Sequence, residues 1–260
     1  MLIHKQFFRL LIYLCILCMG LTQNALPLQA ANSSDFQLET QVLDIIRQHP
    51  EVIIESIQNY QQRQFWQTKQ VQQLFLQELQ TNPEKIIGES PTLGANNPNF
   101  VLLEFSDFQC PYCAKAHQAL QKFIEKHEDE VVLVYKYLPL ASIHPQAIPA
   151  AKAAWAASQQ GKFWQYQDRL FTQQNKLGED LYFNIAKSLN LNLEKFQQDK
   201  SLADSAINND VKRAKQLKID GTPFFVMVNL QNPNIAGKIF FGAVKISDLE
   251  NILEQLKSET

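Results

Sequence analysis

Apolar positions recur along this chain in two rhythms. From residue 36 to 80 they return at helical spacing. Val42, Ile45 and Ile46 come first, and Val52, Ile53, Ile54, Ile57 and Tyr60 follow beyond Pro50. Pro50 suits the first turn of a new helix, where its missing N–H is not needed. Residues 61–80 hold nine Gln, yet Phe65, Trp66, Val71, Leu74, Phe75 and Leu79 make the stretch amphipathic rather than low-complexity. Such a helical segment cannot bury its own stripe; it must dock on a larger body or pair with another copy. Val101–Phe105 and Val131–Leu138 are instead short runs, mostly apolar, and read as buried strands. Phe224–Leu230 and Ile239–Phe241 read the same way. Between the two pairs, residues 145–218 are helical almost throughout. Pro145 opens an Ala-rich helix with Ile148, Ala151 and Trp155, and Phe163, Trp164, Leu170 and Phe171 form a further stripe. Leu181, Ile185 and Leu189 form the next, and Leu202, Ala206 and Leu217 the last. Ser247 is placed to cap a final helix carrying Leu249, Ile252, Leu253 and Leu256. The order strand, helix, strand, helical block, two strands, helix is an α/β arrangement with a helical insertion.

Pro83, Gly88, Pro91, Gly94 and Pro98 mark 81–99 as a linker or edge segment. The domain plan is then a signal peptide over 1–31, an N-terminal helical segment over 32–80 and this linker. The main domain takes 100–260, with its insertion over about 141–218. At 260 residues and 45% hydrophobic, the chain can bury a real core and is neither disordered nor collagen-like. A net charge of −2 disfavours nucleic acid as its main partner.

The N-terminus changes the picture of compartment. Lys5 and Arg9 precede an apolar run from Leu10 to Leu21, followed by the small residues Ala25, Ala30 and Ala31. The run is too short to span a bilayer, which takes roughly 20 apolar residues. It reads as an export signal, cleaved near Ala30 or Ala31, with an uncleaved anchor as the alternative. Cleavage would remove Cys15 and Cys18 and leave Cys110 and Cys113 as the only cysteines. So small a loop gains little from a structural disulfide.

Cys110-Pro111-Tyr112-Cys113 follows a predicted strand and opens a predicted helix. A helix N-terminus stabilises negative charge, so Cys110 is expected to ionise and act as the attacking sulfur. Pro111 fits the first turn, and Cys113, one turn further in, is placed to resolve a mixed disulfide. The alternatives are an inert disulfide or half of a zinc site, for which only His117 lies near while zinc takes four ligands. Gly221-Thr222-Pro223 stands just before a strand. It is either an ordinary turn or a loop whose backbone pairs with an extended substrate.

The run Phe105-Ser106-Asp107-Phe108-Gln109-Cys110-Pro111-Tyr112-Cys113, the helical insertion and Gly221-Thr222-Pro223 together resemble the DsbA-like thiol:disulfide oxidoreductases of the thioredoxin superfamily. The resemblance spans about residues 85–258. It implies a thioredoxin-like fold with a helical insertion and an N-terminal helical arm. It makes Pro223 a cis-proline opposite the active site, with Cys110 attacking and Cys113 resolving. Pro111, Tyr112 and Thr222 would meet the substrate. Several superfamily members hold a buried acid where Glu104 stands, close to the resolving cysteine; the other reading of Glu104 is a strand-end residue facing solvent. His117 reads as an ordinary helix residue, His144-Pro145 as a helix entry, and Trp155, Phe163 and Trp164 as core of the insertion. Val42–Ile53 is similar to the N-terminal region of the suppressor-of-copper-sensitivity C proteins, which implies self-association through residues 36–80; the alternative is an arm folded on its own domain.

The expectation is an exported, most simply periplasmic, thiol:disulfide oxidoreductase acting on cysteines of other exported proteins, chiefly as an oxidase. It needs no cofactor and no metal, since the disulfide itself carries the redox equivalent, but it does need a membrane redox partner. An oligomeric isomerase or reductase is the first alternative, and a Cu(I)-binding thiolate pair the second, because soft thiolates suit that ion.

Overall fold

The computed structural model describes residues 30–258. The export signal read over 1–31 therefore lies almost wholly outside the described residues. Among those residues, no helix is long and apolar enough to cross a membrane. The chain divides into two compact units, meeting in sequence between Gln64 and Phe65.

The first unit holds helix α1 (Ala30–Gln48) and the start of α2 (Pro50–Thr81). The break falls at His49, immediately before the proline. Val42, Ile45, Ile46, Val52, Ile53, Ile54, Ile57 and Tyr60 are all exposed.

In the second unit the end of α2 is followed by α3 (Pro83–Ile87), β1 (Thr92–Gly94), β2 (Phe100–Ser106) and α4 (Pro111–Lys126). Then come β3 (Val131–Tyr137), α5 (Ala147–Ser158), α6 (Phe163–Thr172) and a 3₁₀ turn over Gln174–Lys176. The chain continues through α7 (Glu179–Ser188), α8 (Leu193–Leu202), α9 (Asp204–Gln216), β4 (Phe224–Asn229), β5 (Lys238–Phe241) and α10 (Ile246–Ser258). The five strands lie in the order β1-β3-β2-β4-β5. β2 and β3 run parallel, with Glu104 opposite Tyr135, while the remaining pairs are antiparallel.

Every residue of β2, β3 and β4 is buried, because helices cover both faces of the sheet. Leu102, Leu133, Phe225 and Met227 pack against Leu120 and Phe123 of α4 and Leu249 and Leu253 of α10. Side chains alternate along a strand, so Val101, Leu103, Phe105, Val134 and Val226 face the other way. There they meet Phe75 and Leu79 of α2 and Ala214 of α9. The insertion α5–α9 has its own core of Ala150, Ala154, Tyr166, Tyr182 and Phe196, and that core continues to Phe108, Cys110 and Cys113.

Two helix starts differ from the sequence reading. α5 begins at Ala147 rather than at Pro145, after Ala147 N–H bonds to His144 O. α10 already contains Ser247; its cap is Asp248, whose carboxylate accepts the Lys245 N–H at 2.9 Å. An acid at the third helical position reaching back to the residue before the helix is half of a capping box.

Candidate active site

Cys110 is the N-cap of α4, with Pro111 as the first helical residue. The strand β2 aims the chain at this point, and three side chains hold the intervening loop. Asp107, wholly buried, accepts Gln109 N–H at 2.8 Å on one oxygen. Its other oxygen accepts Leu140 N–H at 2.9 Å and meets His144 Nδ1 at 2.8 Å. Gln174 Nε2 donates to Phe108 O at 2.8 Å and to Cys110 O at 3.0 Å. Gln109 Oε1 accepts Gln146 N–H at 2.6 Å. His144 is thus more than the entry to a helix: with Asp107 it ties the active-site loop to the start of the insertion.

Both cysteines are free thiols. Cys110 is held at about 5, far below an ordinary thiol. The main cause is a hydrogen bond from Cys113; the Thr222 side chain and the backbone N–H groups of Tyr112 and Cys113 add to it, while burial works against it. Cys113 goes the other way: burial first, then the proximity of Cys110 and Glu104, push its thiol well above the usual range. The Thr222–Pro223 peptide bond is cis, and Cys110 Sγ donates to Thr222 O at 3.3 Å. Pro223 is buried, while Tyr112 is 57% exposed beside the sulfurs.

Glu104 sits on the face of β2 that α4 covers, and only 1% of its surface is exposed. Burial raises its carboxyl to about 7; the nearby Ser106 hydroxyl opposes this and Cys110 adds to it. Its Oε1 has no hydrogen-bond partner. Of the two sequence readings, the buried acid is the one the fold contains. His117, one turn beyond Cys113, is buried, with Nε2 3.1 Å from Asp168 Oδ1.

The arrangement brings an acidic thiol beside the cis-proline loop, a weakly acidic inner thiol and a buried carboxyl near neutrality to one helix start. A thiolate at Cys110 can attack or be attacked, and Glu104 can exchange a proton with Cys113. Sequence reading missed the holding residues Asp107 and Gln174. Asp107 left a signal, since an Asp two residues before a backbone N–H is the pattern of an Asx turn. Gln174, 64 residues further along, left none.

Comparison with known proteins agrees with this geometry. The family model described as thioredoxin matches residues 87–254. A thioredoxin-like oxidoreductase from Silicibacter pomeroyi DSS-3 is 27% identical with a TM-score of 0.59, over 68% of this chain and 98% of that one. The catalytic domain of Proteus mirabilis ScsC is 26% identical with a TM-score of 0.57, over 70% and 99%. Among curated sequences, the Na(+)/H(+) antiporter NhaA 3 of Salinispora tropica is 35% identical over 136 residues, which is 51% of this chain and 20% of that protein. The chain spans about a fifth of the length of the curated relatives it matches. On the family match and the fold, this chain belongs to the thioredoxin family.

Proposed function

We propose that this chain is an exported thiol:disulfide oxidoreductase that acts on cysteines of other exported proteins, chiefly as an oxidase. The observation that carries the reading is the opposed acidity of the two thiols. A stabilised Cys110 thiolate stabilises the reduced pair, and a disulfide whose reduced form is stabilised is a strong oxidant. A client thiolate attacks Cys110 Sγ; the Cys110–Cys113 bond breaks, and Cys113 leaves with a proton from Glu104. A second client thiolate then attacks the client sulfur of the mixed disulfide and releases Cys110 as thiolate. The client loses two electrons and the pair gains them. A membrane redox partner restores the disulfide. Lys5, Arg9 and the apolar run Leu10–Leu21 support export, and the periplasm is the compartment proposed. Pro223, Thr222, Pro111 and Tyr112 form the surface that meets the client backbone.

The equilibrium reduction potential, set with glutathione buffers and read by thiol trapping, tests this. A value above about −200 mV is expected; one below about −300 mV lies in the range of structural disulfides and would overturn the oxidase reading.

The exposed apolar residues of the first unit favour a second reading, an oligomeric isomerase. Ile53, Ile57 and Tyr60 lie along one side of α2 and are 40%, 51% and 57% exposed. A second copy of this chain is the occupant they suit. Sedimentation together with refolding of a scrambled-disulfide substrate separates the readings: a monomer that oxidises but does not reshuffle excludes the isomerase.

A further inference from the structure

Glu104 must exchange its proton with solvent once per cycle, yet it is sealed beneath α4. A small cavity of about 30 Å³ adjoins it, lined also by His117, Gln121, Trp164 and Gln167. That is room for a water molecule. Two buried acceptors there have no hydrogen-bond partner, Glu104 Oε1 and Gln167 Oε1, as a bridging water requires. Between α4 and α6 lies an open groove of about 450 Å³ that includes Lys115, Asp168 and Thr172. His117 and Gln121 line both spaces. Of the two, only the imidazole can bind and release a proton.

We propose that His117 is the proton port of the buried carboxyl, passing a proton between Glu104 and the open groove by way of a water in the cavity. The inference rests on the reading of Glu104 as the proton partner of Cys113. His117 acts through Glu104, as a positioning residue for its proton. Nε2–H donates to Asp168 Oδ1, which Gln121 Nε2 also reaches at 3.2 Å, and this leaves Nδ1 as the basic nitrogen. A proton taken up at Nδ1 is balanced by one released from Nε2 toward Asp168 and the groove, and the reverse path returns it. Burial lowers the imidazole below its ordinary range while Asp168 opposes this, so the ring is neutral, and able to accept, at neutral pH. The charged and titratable groups around the path are Cys110, Cys113 and Tyr135 near Glu104, and Asp168 and Lys115 at the groove.

The test follows the Glu104 carboxyl directly. In the oxidised full-length protein, a flash of a caged proton source at pH 8 is followed by the rise of a carboxylic C=O band in the infrared. Glu104→Gln identifies the band; if the band survives in that variant, the assignment of Glu104 fails, independently of any redox result. With the band assigned, His117→Gln is expected to slow its rise at least tenfold. Asp168→Asn alters a half-exposed side chain and keeps its size. It is expected to move the pH dependence of the rate to lower pH, because the imidazole loses the carboxylate that raises it. A merely structural role for His117 would not move that profile. Unchanged rates in His117→Gln, or an unmoved profile in Asp168→Asn, would overturn the proposal. The reduction potential tests the oxidase reading separately, since the flash experiment needs no client.

Discussion

At the scale of the residue, the chemistry depends on two thiols and one carboxyl driven apart by their surroundings. Cys113→Ala removes the hydrogen bond that does most to hold Cys110 at about 5, so the Cys110 pKa is expected to rise; thiolate absorbance at 240 nm across a pH titration reads it. The depressed Cys110 also has a stability consequence. A folded-state pKa below the unfolded one gives stability that is complete above the unfolded value and lost as pH falls through about 5. The reduced protein is therefore expected to lose ground to the oxidised one between pH 7 and 4, as compared by thermal melting. Glu104 carries the opposite sign. Its raised carboxyl costs stability above pH 7, and the cost is relieved as pH falls from about 7 toward its ordinary range. Glu104→Gln is expected to stabilise the protein at pH 8 by up to about 3 kcal/mol and to change little at pH 4, in chemical denaturation of both forms. The cysteine pair was plain in the sequence because spacing and helix start converge on it. The face taken by Glu104 was not, since in a strand buried on both sides apolar residues stop alternating and no longer mark a face.

At the scale of the element, the active-site loop stands on Asp107. Its carboxylate serves two backbone N–H groups and the His144 ring while fully buried. Asp107→Ala leaves these donors without a partner and is expected to cost about 3 kcal/mol, measured by denaturant unfolding, and to loosen the geometry at Cys110. Strands β2, β3, β4 and β5 are legible from short apolar runs, and the break before α2 from Pro50. Strand β1 was not, because three exposed residues ending in glycine carry no periodic signal. Its glycine is nonetheless fixed by the backbone. Gly94 has φ +106°, and a Cβ there would stand 2.3 Å from Val131 O. Gly94→Ala is expected to destabilise by about 2 kcal/mol or more, visible in the same unfolding curves. Ser247 misled for a different reason: Ser and Asp are both good caps, and only the structure shows which one reaches the Lys245 N–H.

At the scale of the whole molecule, the sequence separated an N-terminal helical arm from a redox body, and the apolar stripe of that arm meets two fates. Phe75 and Leu79 sit in the sheet's core, whereas the stripe before Gln64 stays exposed. If that stripe joins copies, Ile53→Lys with Ile57→Lys is expected to lower the sedimenting mass to that of one chain while leaving the Cys110 thiolate titration unchanged. Sheet edges raise a different question of association. Pro91 O and Ala95 N bond inward to β3, so by alternation the Thr92 carbonyl points away from the sheet. Trp164 Nε1 donates to it at 2.7 Å. In a strand of three residues, one outward carbonyl already taken leaves a foreign strand fewer groups to pair with. The indole thus helps to guard this one edge against templated aggregation, and its loss would be read as turbidity on prolonged storage.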